Sequence, residues 1–318
     1  SCVFSSANTT YSPHMTLPGY LTIPENTFNA RIHAAWERSS PCMLCPRQCM
    51  ALRKKGDLGF CRTGTHPHIA SYGPHFGEEG PISGTRGSGT VFFTGCTMGC
   101  RFCQNYEISH DRVGQEITVH DLADIFLHLQ ERGCHNINLV TPTHQVPAIL
   151  EALLIAIKGD LQIPIVYNTS GYESPGTLRL LEGIIDIYMP DFKYVDEETG
   201  KNLSRTTNYP RICEEALREM HRQAGDLTLE GGIANRGLLI RHLVLPGRTS
   251  ESERIIKFIA EQISRDTWLN IMDQYRPAGE IRKTCPDGYI DMLRRVSDKE
   301  FNHVRKVAEK YGLVRGLE

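Results

Sequence analysis

Six short apolar runs recur between positions 90 and 273, and amphipathic helical patterns lie between them. This alternation constrains the fold more than any other feature, because strands separated by helices pair in parallel through right-handed crossovers. The runs fall at 90–94, 136–141, 163–168, 184–190, 238–245 and 268–273. Of the five helical stretches, the clearest are 121–132, with Leu122, Ile125, Phe126 and Leu129 on one face, and 252–264, with Ile255, Ile256, Ile259 and Ile263. A last helix is expected to open at Ser297, where Glu300 three residues on makes a capping box, and to run to about Tyr311. The pattern predicts an α/β fold with a parallel sheet, either doubly wound or curled into a barrel. Reactive residue types gather where the runs end: Thr141 and His144, Asn168 and Ser170, Asp191 and Lys193, Asp273 and Gln274. In both architectures the carboxyl ends of the strands carry the chemistry.

The chain before the first run reads differently. Residues 1–40 are rich in Ser, Thr, Asn and Pro and are expected to be an extended lead-in, with one short helix around 28–36. Residues 41–89 form a cysteine-bearing module followed by a Gly/Pro-rich stretch, 72–89, expected to be loop. Residues 90–277 carry the alternating core, and 278–318 a helical extension. A formal charge of −2 does not favour nucleic acid or another polyanion as partner. No apolar run reaches the ~18–20 residues that span a bilayer, and the polar start lacks a signal-peptide pattern, so a soluble, cytoplasmic protein with no membrane partner is expected. Of eleven cysteines, seven fall in two tight groups, which points to metal ligation in a reducing compartment rather than a disulfide framework.

The first group is Cys96-Thr-Met-Gly-Cys100-Arg-Phe-Cys103, directly after the first run. One short loop can bring three thiolates onto three irons of a cubane cluster, but it supplies no fourth. An iron left open is where a substrate or cofactor binds. A structural zinc site would instead need a closing ligand from elsewhere.

The C-x3-C-x-aromatic-C pattern, with Phe102 before the last cysteine, resembles the radical S-adenosylmethionine (SAM) superfamily. The flanking Gly87-Ser-Gly-Thr-Val-Phe-Phe-Thr-Gly-Cys96 and Cys103-Gln-Asn105 resemble its pyruvate formate-lyase activating enzymes, in a branch with additional upstream cysteines. The likeness extends over about 41–277. It implies a partial (β/α)6 barrel, a [4Fe–4S] cluster on Cys96, Cys100 and Cys103, and SAM bound to the open iron. Reductive cleavage of SAM would then give a carbon radical that abstracts hydrogen from a substrate. The resemblance further implies cofactor contacts from Phe102, Asn105, Thr141, Asn168, Ser170, Asp191, Lys193 and Arg241. It also implies an electron donor such as flavodoxin or ferredoxin, and a glycyl-radical enzyme as the partner that is activated. Two motifs depart from the pattern. Val140-Thr141-Pro142-Thr143-His144 stands where a Gly-Gly-Glu is usual, and Gln274-Tyr275-Arg276-Pro277 replaces a histidine segment. His144 is a proton donor, a substrate ligand or a structural hydrogen-bonding histidine.

The second group, Cys42-x2-Cys45-x3-Cys49-x11-Cys61, offers four soft ligands within twenty residues. That set completes either a zinc tetrahedron or a second [4Fe–4S] cluster, and the spacing does not choose. Cys134, Cys213 and Cys285 read as small apolar residues, and Cys2 is too near the end to interpret. Glu78 and Glu79 are either carboxylates at a substrate mouth or a solvated acidic turn. Two other readings remain beside the activating enzyme: a radical SAM catalyst acting on a small molecule or another protein residue, and a non-enzymatic electron-transfer protein.

Overall fold

The computed structural model describes residues 17–317. In chain order the principal elements are α1 (Glu25–Arg38), β1 (His68–His75), β2 (Ser88–Phe93), β3 (Gln115–Glu116), α2 (Val119–Glu131), β4 (Ile137–Val140), α3 (Val146–Lys158), β5 (Ile165–Thr169), β6 (Ile187–Pro190), α4 (Glu197–Ser204), α5 (Tyr209–Ala224), β7 (Thr228–Glu230), β8 (Ile233–Leu243), α6 (Thr249–Phe258), β9 (Trp268–Met272) and α7 (Asp298–Tyr311). The strand order is β3-β1-β2-β4-β5-β6-β8-β7, with β9 on β8. Six of these strands, β2, β4, β5, β6, β8 and β9, run parallel and coincide with the six apolar runs. β9 pairs with β8 and not with β2, so the barrel is partial.

Strand alternation produces two apolar layers. Ile165, Tyr167, Tyr188, Leu238 and Ile240 point outward into the main core beneath the helices. Val166, Ile187, Met189 and Leu239 point inward and meet Ile82, Leu227 and Ala234. At the carboxyl ends the inward positions turn polar, through Asn168, Asp191, Arg241 and Asn270. Register aligns these ends: Val140 faces Asn168, Asn168 faces Met189, and Asp191 bridges to Arg241.

Two regions are more regular than expected: the short helix of the lead-in is longer, and part of the stretch expected to be loop is strand. Within the lead-in, residues 25–38 form a helix that packs on α3 and donates the Trp36 indole N–H to Glu151 at 2.9 Å. Positions 1–16 of that lead-in, with Cys2, lie outside the described residues. In the stretch expected to be loop, residues 72–75 belong to β1, which pairs antiparallel with β2 and covers its edge. In the β1–β2 connection Glu78, Glu79 and residues 81–83 turn toward the barrel, whereas Phe76, Gly77, Gly80, Thr85 and Arg86 stay exposed. Glu78 and Glu79 lie with side chains only 7% exposed, and Ile82 is fully buried, so this segment is a plug and not a solvated acidic turn. Among the described residues no helix is long and apolar enough to cross a membrane.

Candidate functional site

The segment after β2 turns back at Gly95 (φ 86°), where a Cβ would sit 2.5 Å from the carbonyl oxygen of Cys61. That close approach requires glycine and pins the first cysteine loop against the end of the second cysteine module. Cys96, Cys100 and Cys103 follow, all partly buried. Each sulfur accepts one hydrogen bond: Cys96 from the Met98 amide at 3.3 Å, Cys100 from the Ser204 hydroxyl at 2.9 Å, and Cys103 from the Ser109 hydroxyl at 3.2 Å. Ser204 is oriented by the Tyr194 hydroxyl at 2.7 Å. Burial pushes the Cys96 thiol up to about 12, with Cys100 adding to the rise, and burial raises Cys100 against the pull of Lys193. Buried thiols this reluctant to ionise become thiolates only beside strong positive charge, which metal centres supply. Among the described residues no three His, Cys, Asp or Glu side chains close on a single ion. In a cubane each thiolate takes a different iron, so its three ligands need not converge on one point. The donor set, softness and polar cradle fit a [4Fe–4S] cluster with one open iron.

Beside this loop the strand ends build a charged network. Lys193 donates to Asp191 at 2.6 Å. Burial pulls the Lys193 ammonium down, but Asp191, Cys100 and Cys103 outweigh it and hold the group charged. Arg241 ties Glu78 at 3.3 Å, Glu79 at 3.4 Å and Asp191 at 3.8 Å into one cluster. Burial likewise disfavours its charge, and Glu79, Asp191 and Glu78 restore it. Asn270 donates to Glu79 at 2.7 Å. Three buried groups facing the barrel interior lack a hydrogen-bond partner, the Glu79 Oε2 atom, the Arg241 Nε atom and the whole side-chain amide of Asn138. A bound polar ligand is the ordinary reason for such vacancies in hydrogen bonding.

The other expected site residues are placed as follows. Thr141 sits at the end of β4 with φ 59°, an outlier for a β-branched residue, and donates its amide to the Asn168 carbonyl at 2.9 Å. Asn168 and Ser170 are half-buried at the end of β5, and the Ser170 carbonyl accepts from the Tyr209 hydroxyl. Phe102 is buried edge-on against Tyr275, 5.6 Å between centroids. Asn105 is exposed, at the start of a short helical turn, outside the charged network. His144 is buried and hydrogen-bonds through one ring nitrogen, while its Nδ1 has no hydrogen-bond partner. Its Nε2 donates to the Thr94 carbonyl at 2.8 Å, and burial depresses it to about 3, so it stays neutral. Cys134 and Cys213 are buried as expected, whereas Cys285 is only partly so.

Cys42, Cys45, Cys49 and Cys61 line a single small cavity together with Arg47, Arg53, Phe60, Thr97 and His144. Burial raises the Cys45 thiol to about 12 and also lifts Cys42, against the pull of Arg53. Arg53, itself buried, donates to Cys61 Sγ at 3.2 Å and to the His144 carbonyl at 2.8 Å. Gln48, Met50 and Arg62, which flank Cys49 and Cys61, adopt positive φ of 43°, 57° and 54°, so the chain turns sharply at both cysteines. Ser204 and Arg47 had no sequence signal because their partners are distant in the chain, and Ser109 and Arg53, six and eight residues from Cys103 and Cys61, belong to no motif that would single them out.

The sequence profile of the Radical SAM superfamily matches residues 90–259. The uncharacterized protein MJ0674 of Methanocaldococcus jannaschii is 30% identical over 301 residues, spanning 92% of this chain and 81% of that protein. Among solved structures, that of TYW1 with a lysine-pyruvate adduct bound aligns at a TM-score of 0.40 with 10% identity, covering 70% of this chain and 73% of the other. A profile that takes in the three-cysteine loop and four further parallel strands shows that the chain belongs to the radical SAM superfamily, whose members are enzymes that use a [4Fe–4S] cluster and SAM.

Proposed function

We propose that Cys96, Cys100 and Cys103 hold the cluster, that SAM lies against Thr141, Asn168, Ser170, Asp191, Lys193 and Arg241, with Phe102 and Asn105 flanking it, and that hydrogen is taken from the Cα of a glycine in a partner glycyl-radical enzyme. The observation that carries the cofactor part is three thiols on one loop, each with a hydrogen-bond donor, beside an ammonium held charged. When bound, the cluster supplies one electron that cleaves SAM and leaves a carbon radical able to abstract hydrogen. Lys193 is suited to the carboxylate of SAM, since Asp191 leaves two of its three ammonium donors unspent. Arg241, set among Glu78, Glu79 and Asp191, keeps the strand ends together and leaves its Nε donor, which has no hydrogen-bond partner, for the ligand. The plug of residues 78–83 keeps water from the barrel floor.

An open groove of about 630 Å³ lined by Arg276, Pro277, Ala278, Gly279, Arg282, Leu293 and Arg295 supports a protein segment as substrate. It lies beside the cluster loop, because the Ile281 amide donates to the Arg101 carbonyl at 2.9 Å and Gln104 donates to the Gln274 carbonyl at 3.1 Å. A small molecule would need no such open rim. The electron donor in this reading is a flavodoxin or ferredoxin, and the four-cysteine cavity is a second metal site.

Anaerobic reconstitution with iron and sulfide, then dithionite and SAM, is expected to give 5′-deoxyadenosine in the wild type and none in a Cys96→Ala/Cys100→Ala/Cys103→Ala variant. Deuterium placed on the glycine Cα of candidate partner proteins should appear in that nucleoside. Label arriving only from a small molecule would replace the glycyl-radical reading. A loaded cluster that never cleaves SAM would remove the enzyme reading altogether.

A further inference from the structure

We propose that the Cys42/Cys45/Cys49/Cys61 cavity holds an iron–sulfur cluster that is the inlet for electrons travelling to the Cys96/Cys100/Cys103 site. The inference rests on the reading of the latter as the SAM-cleaving cluster. The two sites are in direct contact. Arg47, two residues after Cys45, lines the second cavity and reaches out of it into the first cysteine loop. Its Nε donates to the Thr97 carbonyl and its Nη2 to the Met98 carbonyl at 2.6 Å, both inside the Cys96–Cys100 turn. A third bond, to the Arg205 carbonyl at 2.8 Å, and stacking on Phe60 at 3.4 Å from the ring centroid hold the guanidinium there. The Cys61 carbonyl abuts Gly95, the residue before Cys96. Arg53 joins the cavity to His144, which bonds the end of β2. One cation thus touches the surroundings of both thiol sets, and a short covalent and hydrogen-bonded path connects them.

The opposite side of the second cavity faces solvent. Cys49 is exposed, while Cys42, Cys45 and Cys61 are buried. Around Cys49 stand Met50, Leu58 and Phe60, exposed by 52%, 54% and 41%, with the exposed cations Lys55 and Arg62. Lys54 is also exposed but spends its charge on Glu37 at 2.7 Å. Apolar contacts flanked by two cations free of ion pairs, against the single exposed carboxylate of Asp57, suit a small acidic one-electron carrier of the flavodoxin or ferredoxin class. The carrier loses one electron at this face, the second cluster is reduced by one and returns to its resting state, and the same electron is consumed at the first site. Zinc has no redox role, so the proposal requires iron.

The test compares the full-length wild type, a Cys42→Ala/Cys45→Ala variant and a milder Cys49→Ser variant, all reconstituted anaerobically. The wild type is expected to hold roughly eight irons and the double variant roughly four, with zinc absent from both. Reduction of the first cluster is followed by its electron paramagnetic resonance signal, which does not depend on SAM cleavage. With dithionite both variants should match the wild type, and with reduced flavodoxin both should be slower by about tenfold or more. Lys55→Glu/Arg62→Glu should keep all the iron, yet need several times more flavodoxin, an effect that shrinks as salt rises.

Zinc in the second cavity overturns the proposal. So does a Cys49→Ser variant slowed equally under both reductants, which marks a merely structural site. Slowing by Arg282→Glu/Arg295→Glu, with none from Lys55→Glu/Arg62→Glu, would move the inlet to the arginine groove and overturn it as well. A first cluster that is reduced by flavodoxin but never cleaves SAM leaves this inference standing and refutes the reading of the enzyme.

Discussion

Arg241 gathers Glu78, Glu79 and Asp191 in a space that burial keeps from water, so its removal exposes what the charge compensates. Arg241→Met would leave Glu78 and Glu79 without their guanidinium while Asp191 keeps Lys193, and breaking a buried ion pair from one side costs about 3–5 kcal/mol. Chemical denaturation should show that loss, whereas Glu78→Gln, which leaves two carboxylates on the arginine, should cost much less. Glu173 makes a different prediction. It is fully buried and accepts hydrogen bonds from the hydroxyls of Thr143, Thr169 and Tyr167. Burial pushes it up to about 7 even so, well above its ordinary 4.5. Below 4.5 both folded and unfolded chains carry the proton. Between 4.5 and 7 only the unfolded chain ionises, so folding stability falls across that window by up to about 3 kcal/mol and then levels. Glu173→Gln keeps an acceptor for the threonines and cannot ionise. The wild type minus Glu173→Gln difference in unfolding free energy should therefore decline from pH 4.5 to 7, and a flat difference would refute the assignment. His144 and His242, depressed by burial to about 3 and about 4, act in the opposite sense, and the subtraction removes them.

At the scale of elements, legibility followed burial. The six parallel strands were readable because each is covered on both faces and so carries an apolar run. The capping box at Ser297 was readable because it is local, with Ser297 and Glu300 bonding one another's amides as expected. α1 was read short because only Phe28 and Ala35 of its fourteen residues are buried, which leaves almost no apolar stripe. Residues 72–75 of β1 were read as loop because they include Gly73 and Pro74, and an edge position tolerates both, the missing N–H falling where no ladder bond is needed. The three thiols of the first loop were legible from their spacing, but the hydroxyls of Ser109 and Ser204 that serve them were not, since α4 brings Ser204 in from a hundred residues away. The junction of β2 with the second cysteine module rests on Gly95, where neither the positive φ nor the space admits a side chain. Gly95→Ala should cost about 1–3 kcal/mol. It should also lower the iron content at both cysteine groups, because Cys61 and Cys96 stand on either side of the contact. Iron loss at one group only would show that the two loops are seated independently.

Taken whole, the molecule closes its cluster loop from two directions: the cysteine module through Arg47, and the chain beyond β9 through Glu280. The last of these was expected only as a helical extension, yet residues 279–293 dock on the loop before α7 begins. Glu280 pairs with Arg101 in the loop and with Arg205 after α4, the Ile281 amide bonds the Arg101 carbonyl, and Tyr275 donates to the Met292 carbonyl at 2.7 Å while its ring covers Phe102. One carboxylate therefore compensates two guanidinium groups that flank Cys100. Glu280→Ala leaves both without it, and the extension loses the two ion pairs that tie it to the loop and to the end of α4. Because Arg205 is partly solvated, the cost in global stability should be modest, about 1–2 kcal/mol. The local effect should be larger. Backbone amides of 279–293 are expected to exchange hydrogen faster by roughly tenfold, as a segment whose opening free energy drops by about 1.4 kcal/mol does. The cluster should bleach faster in air in step with that exchange, since the loop loses one of its covers. Glu280→Asp, which keeps the charge on a shorter arm, should recover part of both effects. Faster bleaching without faster exchange would mean that Glu280 acts on the cluster through charge alone and that the extension is held by its backbone bonds.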